Sequence, residues 1–329
     1  MLDNSCLAVH QGENIVMEDY QKIYALQQQH MNDDVYKKER MSIHESWFHE
    51  DTVDSWRHRR MYNTIEPLAS FYKDKKWLSI GDGRYGLDAY RLRKLFGIDV
   101  FPTDISEGML RKAREMGIIT GYGVENAEQL SFPDKSYDLV FCKETFHHCP
   151  RPIIALYEMI RVSKDAVVLI EPNEKYTLVS PRSVCRQLVR LILNVLFPSN
   201  SLFKKRYNFF SDIYSNVEPS GNYVYCISRR EIQKVAYGLN LKGVAWKGFN
   251  DHYVEGCEFE KQDPESEIFI RIQHEIKTRD RKCKSLPLFN DWAMITVILF
   301  KREVNADLRA AMEAFGYEFA KPFINQHVT

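Results

Sequence analysis

The sequence predicts an α/β protein built around a doubly wound, mainly parallel sheet, and three observations predict it. The apolar run Trp77-Leu78-Ser79-Ile80 ends in Gly81-Asp82-Gly83-Arg84-Tyr85-Gly86 and a helix-like segment follows. That G-x-G-x-x-G spacing is the pattern of a strand, a tight turn and a helix start. Strand-like and helix-like segments then alternate with short links as far as Pro172, as in a parallel sheet covered by helices on both faces. Finally, Asp104 ends the second strand, 21 residues beyond Gly83. Nucleotide-binding α/β sheets carry at that place an acid that accepts hydrogen bonds from ribose hydroxyls.

Taken in order, residues 1–16 carry no pattern, and Met17 to about His49 is polar and helix-prone, with Tyr20, Ile23, Tyr24 and Leu26 at amphipathic spacing. Residues 1–55 therefore read as a helical N-terminal cap, or as a lid or partner surface, with Trp47 and Phe48 as anchors. Ile65, Leu68, Phe71 and Tyr72 recur at helical steps, as on a helix packed against a sheet. The basic run Arg57-His58-Arg59-Arg60 reads first as a solvated face and second as a contact for an acidic substrate. Residues 87–96 form a helix stopped by Gly97, and Ile98–Ser106 a strand. A helix at 107–116 follows, which Asp104 would cap if it does not meet a ribose. Tyr137–Cys142 is the next strand, Ile153–Ile160 a helix, and Ala166–Ile170 a strand closing in Glu171-Pro172.

Composition narrows the class. With 44% apolar and 27% charged residues over 329 positions, the chain can bury a sizeable core. Lys+Arg and Asp+Glu balance at 45 each, so overall charge does not point to nucleic acid. Seven scattered cysteines without a C-x-x-C indicate neither a disulfide framework nor a zinc site. The N-terminus has no apolar block of a signal peptide, and no apolar run approaches membrane-spanning length. A reducing, cytoplasmic setting is the expectation.

Residues 77–172 resemble the core of a class I S-adenosylmethionine-dependent methyltransferase. The resemblance rests on four ordered segments: Gly81–Gly86, Asp104, Asn126-Ala127-Glu128 ahead of Leu130-Ser131-Phe132-Pro133-Asp134, and Tyr137-Asp138-Leu139-Val140. It implies a seven-stranded sheet of order 3-2-1-4-5-7-6 with an antiparallel last strand. The methyltransferase domain then covers 56–302, with insertions after strands 5 and 6 at 173–227 and 250–291 and a C-terminal helix within 303–329. It implies S-adenosylmethionine as cofactor and assigns Gly81, Asp82, Gly83 and Gly86 to its methionine side. Asp104 falls at the ribose and Asn126, Ala127 and Glu128 at the adenine, and Ile105 and Lys143 are counted among the cofactor-binding residues. Two positions depart from the family: Ser79 stands where an acid is usual, with Asp82 as the candidate substitute, and Tyr85 where a glycine is usual.

Methyl transfer from a sulfonium needs alignment, no metal, and a base when the acceptor is a hydroxyl. His147, His148 and Glu144 follow the fourth strand and are the candidate catalytic residues; Glu171 is a further candidate base, or a hydrogen-bond anchor for the loop beside it. His147-His148-Cys149 is not read as a metal site, because no ligand set of metal spacing accompanies it. Lys143 has Glu144, Asp82 or a substrate acid as candidate partners.

Beyond Pro172 the segment 173–227 reads as a lid over the acceptor. Arg182, Arg186 and Arg190 share one face of an otherwise apolar helix and Lys204-Lys205-Arg206 follows. That stretch, 182–206, packs on the domain or else meets a membrane surface or lipid-linked substrate. Leu241–Trp246 and Ala293–Phe300 are the last two strands. Between them Ile268, Ile270, Ile272 and Ile276 suggest a strand or a helix, and Asp307–Phe319 reads as a helix. The expected reaction is methyl transfer to a small-molecule acceptor, a sugar or other hydroxyl. The stretch Cys142–Met159 resembles methyltransferases of bacterial surface-polysaccharide synthesis. The rivals are a nicotinamide-dependent oxidoreductase and a cofactor-binding pseudoenzyme. Oligomeric state is not legible.

Overall fold

A computed structural model describes residues 21–29, 32, 43, 46–174, 223–285, 292–320 and 327. Helices α1 (Val53–Asn63) and α2 (Glu66–Phe71) lead into strand β1 (Trp77–Ile80). The alternation continues through α3 (Leu87–Phe96), β2 (Val100–Asp104), α4 (Gly108–Glu115), β3 (Gly123–Val124) and β4 (Tyr137–Lys143). After a 3-10 turn at Phe146–His148 come α5 (Pro152–Val162), β5 (Ser163–Pro172), α6 (Arg229–Gly238) and β6 (Gly243–Phe249). The chain closes with α7 (Glu267–Ser285), β7 (Met294–Phe300), α8 (Ala306–Ala314) and β8 (Glu318–Phe319).

The strands form one sheet in the order 3-2-1-4-5-7-6-8. β1, β2, β3, β4 and β5 pair in parallel, and β7 runs antiparallel between β5 and β6. The sheet thus has eight strands rather than seven. The expected helix Asp307–Phe319 ends early, at Ala314, because Gly316 takes a φ of +94 and turns the chain. Tyr317 then buries its ring and donates its hydroxyl to Thr64 O at 2.7 Å, and β8 pairs with β6.

Alternation along each strand splits the core into two layers. Trp77, Leu139 and Phe141 face α1, α2 and α8 through Met61, Tyr62, Leu68, Leu308 and Met312. Leu78, Ile80, Val140 and Cys142 face α5 and α6 through Leu156, Met159, Ile160 and Ile232. Each such buried side chain contributes roughly 1.5–3 kcal/mol. The isoleucines of the second insertion resolve as a helix. Phe269, Ile272 and Ile276 are buried at helical spacing against Val53 and Cys257, while Ile270 stays exposed.

Register assembles the functional edge. Ile80 stands opposite Thr103 on one side and Cys142 on the other, and Lys143 opposite Ile170. The residues that follow each strand, Gly81, Ile105 and Glu144, therefore emerge side by side at the carboxyl end of the sheet, where ligands bind in open α/β folds. Residues 182–206 lie outside the described residues, and no described helix is long and apolar enough to cross a membrane.

Candidate active site

A cavity of about 480 Å³ opens at this edge. Of the residues singled out from sequence, Gly81, Asp82, Gly83, Asp104, Ile105, Asn126, Ala127, Glu128, Lys143, Glu144 and His148 line it; Gly86 and His147 do not.

The rim is shaped by close approaches. Gly81 has a φ of +75, and a Cβ there would fall 1.9 Å from Thr145 Cγ2. Only a glycine lets the turn after β4 come so near the turn after β1, where Thr145 Oγ1 donates to Gly81 O at 3.0 Å. A Cβ on Gly83 would meet Asp104 Oδ2 at 2.6 Å. Asp104 is buried and its Oδ1 accepts from Ser106 N at 2.8 Å. Burial pushes the Asp104 carboxyl up to about 6, against amide N–H groups of Ser106, Gly83 and Ile105 that lower it.

The departures from the family pattern have physical reasons. Asp82 does not present a free carboxylate to the cavity: its two oxygens accept from Asp88 N and Ala89 N, each at 2.9 Å. It caps α3, whose own N-cap, Gly86, has no side chain to do so. Tyr85 takes a φ of 59 and is held there by its buried ring, edge-on to Trp47 and Phe48. Ser79 is fully buried, and its Oγ has no hydrogen-bond partner among the described residues.

Glu128 belongs to a closure. It accepts from Tyr24 Oη at 2.6 Å, Arg151 N at 2.7 Å and Arg151 Nε at 2.6 Å. The helix at 21–29 also donates from Gln27 Nε2 to His148 O at 2.8 Å and from Gln28 Nε2 to Ile105 O at 3.0 Å. These bonds lay the N-terminal helix across the strand ends. Asn126 Oδ1 accepts from Glu128 N at 2.9 Å and orders the same loop.

The opposite wall draws on α1, outside the family segment, as well as on α3 and the end of β4 within it. α1 contributes Asp54, Ser55, His58 and Tyr62, and α3 contributes Asp88 and Arg91. Tyr62 Oη donates to Asp88 Oδ1, and Lys143 Nζ lies 2.7 Å from Glu144 Oε2 and 3.9 Å from Asp88 Oδ1. Glu144 has a φ of 50, a strained conformation for a non-glycine residue at a strand end. Burial is the strongest single influence and works to raise its carboxyl, but the cations around it, Lys143 first, together outweigh burial and hold Glu144 well below the usual carboxylate range. Reading 57–60 as a solvated face is corrected. Arg57 is buried and paired with Asp54 and Asp251, and Arg59 donates to Glu50 O. Arg60 stacks on Trp56 and donates to Asn250 O.

His147 is turned into the protein. Its Nδ1 lies 2.6 Å from Glu171 Oε2, while Glu171 Oε1 accepts from Thr145 N at 3.0 Å and Phe146 N at 2.9 Å. Glu171 is fully buried and acts as the anchor of that turn. Glu171→Ala should therefore cost about 3–5 kcal/mol of stability by urea unfolding, because a buried polar cluster loses its shared acceptor. A cost below about 1 kcal/mol would contradict the anchoring role.

Residues 78–170 match the family model described as a methyltransferase domain. Over 96 residues the chain is 31% identical to the 2-methyl-6-phytyl-1,4-hydroquinone methyltransferase of Synechocystis, a match covering 28% of this chain and 30% of that protein. The chain thus spans less than a third of that relative's length. Among solved structures it is similar to a putative methyltransferase from Bacillus halodurans, with 16% identity, 73% and 98% of the two chains covered and a TM-score of 0.41. It is also similar to a protein from Thermotoga maritima described as an S-adenosylmethionine-dependent methyltransferase, possibly a histamine N-methyltransferase. There the identity is 13%, the coverage 85% and 100%, and the TM-score 0.44. The assignment rests on the family match and on the sheet order, in which β7 is inserted antiparallel between β5 and β6. The segment 78–170 is the core of a class I S-adenosylmethionine-dependent methyltransferase domain, with S-adenosylmethionine as its cofactor.

Proposed function

We propose that the chain transfers a methyl group from S-adenosylmethionine to a hydroxyl of a small polar acceptor, a sugar being the class we favour. One observation carries this reading. A single cavity joins the Gly81–Gly83, Asp104 and Asn126 rim to a wall of paired acids and bases from α1, α3 and the end of β4. Its volume, about 480 Å³, lies in the roughly 300–1,000 Å³ range of small-molecule sites. That room suits a cofactor with a compact acceptor. The inserted β7 argues against a nicotinamide-dependent oxidoreductase. A role in surface-polysaccharide synthesis draws its support from the resemblance of Cys142–Met159 alone.

The residues fit the cofactor. Asp104 is a buried acceptor suited to ribose hydroxyls, and the backbone at Gly81 and Gly83 can be approached closely because neither carries a Cβ. Asn126, Ala127 and Ile105 line the side proposed for the adenine. S-Adenosylmethionine supplies an electrophilic methyl group. The chain supplies alignment, which can lower a barrier by about 7–11 kcal/mol at best. Glu128 and Asp82 act indirectly in this reading: one holds the 21–29 helix down, the other caps α3.

Calorimetry with S-adenosylmethionine, followed by tritiated methyl transfer to monosaccharides and nucleotide sugars, tests the proposal. Binding with turnover on a hydroxyl acceptor is expected. Binding without turnover on any of them would favour a pseudoenzyme, and absence of binding would overturn the reading. Gly83→Ala should weaken S-adenosylmethionine binding by about tenfold or more, since its Cβ would displace the Asp104 carboxylate. Unchanged affinity would contradict the ribose assignment.

Binding should also depend on pH. A raised carboxyl is ionised only above its elevated value, and only the carboxylate accepts from both ribose hydroxyls. Wild-type affinity should hold above pH 7 and fall below about 6, approaching tenfold per pH unit, while Asp104→Asn binds weakly and without that dependence. A flat wild-type profile from pH 5 to 8 would contradict it.

A further inference from the structure

We propose that His58 is the catalytic base of this site, taking the proton of the acceptor hydroxyl during methyl transfer. The inference rests on the methyl-transfer reading above. His58 stands on α1, outside the segment that matches the methyltransferase family. Its ring lines the cavity, and its side chain keeps 21% of its surface accessible there. Nδ1 lies 3.7 Å from Glu144 Oε2 and Nε2 lies 3.7 Å from Asp54 Oδ2. Both separations exceed a hydrogen bond. Among the described residues neither ring nitrogen makes a hydrogen bond, and a carboxylate faces each at ion-pair distance.

The other candidates are less suited. Glu144 already holds the Lys143 ammonium at 2.7 Å and is committed to that pair. His147 is bound to Glu171 and lies off the cavity lining. His148 lines the cavity, but its turn leads directly to Arg151, which binds Glu128, so it belongs to the Asn126–Glu128 end. His58 instead shares its end of the cavity with Lys143, Glu144 and Tyr62, beside the strand end that follows β4.

The charges around His58 suit a base that starts neutral. Burial first, then the Lys143 ammonium, presses its imidazole well below the ordinary histidine value; Arg57 on its own helix and Arg84 from the glycine loop act the same way. Glu144 opposes them, and Asp54 faces Nε2. In the step, the acceptor O–H gives its proton to a ring nitrogen. The oxygen lone pair forms the C–O bond to the methyl carbon, and the electrons of the breaking C–S bond return to sulfur. The positive charge thus passes from sulfonium to imidazolium, which is then flanked by two carboxylates.

The test compares wild type, His58→Gln and His148→Gln. Turnover of tritiated S-adenosylmethionine with the monosaccharide and nucleotide-sugar set should fall at least 100-fold in His58→Gln, within the range of roughly 10²–10⁴ for loss of a general base. Its calorimetric affinity for S-adenosylmethionine should stay within threefold of wild type, which also shows that the variant folds. Turnover within threefold of wild type would overturn the proposal, as would a 100-fold loss confined to His148→Gln. Binding without wild-type turnover would overturn the hydroxyl-methylation reading and this step with it; absence of binding would overturn the cofactor site itself. An acceptor-free readout is the nitrogen-15 spectrum of histidine-labelled protein. The signal missing from His58→Gln should be that of a neutral imidazole at about pH 7.5, and its titration should move upward in Lys143→Met. An imidazolium that persists to about pH 8 would overturn the proposal independently, because a protonated ring cannot take the acceptor's proton.

Discussion

The site depends on one buried carboxylate. Glu171, at the end of β5, has no solvent exposure and gathers the amides of Thr145 and Phe146 and the ring of His147. A carboxylate in that position is tolerable only because its oxygens are met by several donors. Its effect reaches beyond itself. It fixes the turn after β4, which presses Thr145 against Gly81 and delivers Lys143 and Glu144 to the cavity. The glycine at 81 and the acid at 171 are therefore two halves of one constraint, the first leaving room and the second filling it.

Around that constraint the chain adds two covers from outside the family segment. The helix at 21–29 is pinned to Glu128, His148 and Ile105 by side-chain hydrogen bonds. α1 is pinned from behind by the second insertion, through Arg57 with Asp251 and through the Val53, Phe269 and Ile272 cluster. Insertion and α1 together present Asp54, His58 and Tyr62 to the cavity. Decorations that look separate in sequence thus act on the same wall.

Much of the sheet was legible because its signals are local. Apolar runs, the glycine turn and Gly97 stopping α3 with a left-handed φ of +71 are properties of neighbouring residues. The C-terminal helix stops short of Phe319 because Gly316 turns the chain and Tyr317 is drawn inward by a core built elsewhere in the chain. The site was legible only on its cofactor side. Asp82 stood in the right segment, but the absence of a capping side chain on Gly86 recruits it to the helix start. His147 and His148 are adjacent, and nothing local tells which of them a distant Glu171 will claim. His58 was hidden inside a basic run, since its neighbours Asp54, Lys143 and Glu144 meet it only once α1 lies over the end of β4. Tyr24 lay within the anticipated cap, but its partner Glu128 is 104 residues away.

The central claim is that the carboxyl edge of this sheet holds S-adenosylmethionine with its reactive end toward α1. A crystal structure with S-adenosylhomocysteine tests it most directly. The account predicts ribose hydroxyls on Asp104, the adenine beside Asn126 and Ala127, and the sulfur facing the space between His58 and Glu144. An adenosine lying elsewhere, or a sulfur directed toward His148 and the 21–29 helix, would contradict it.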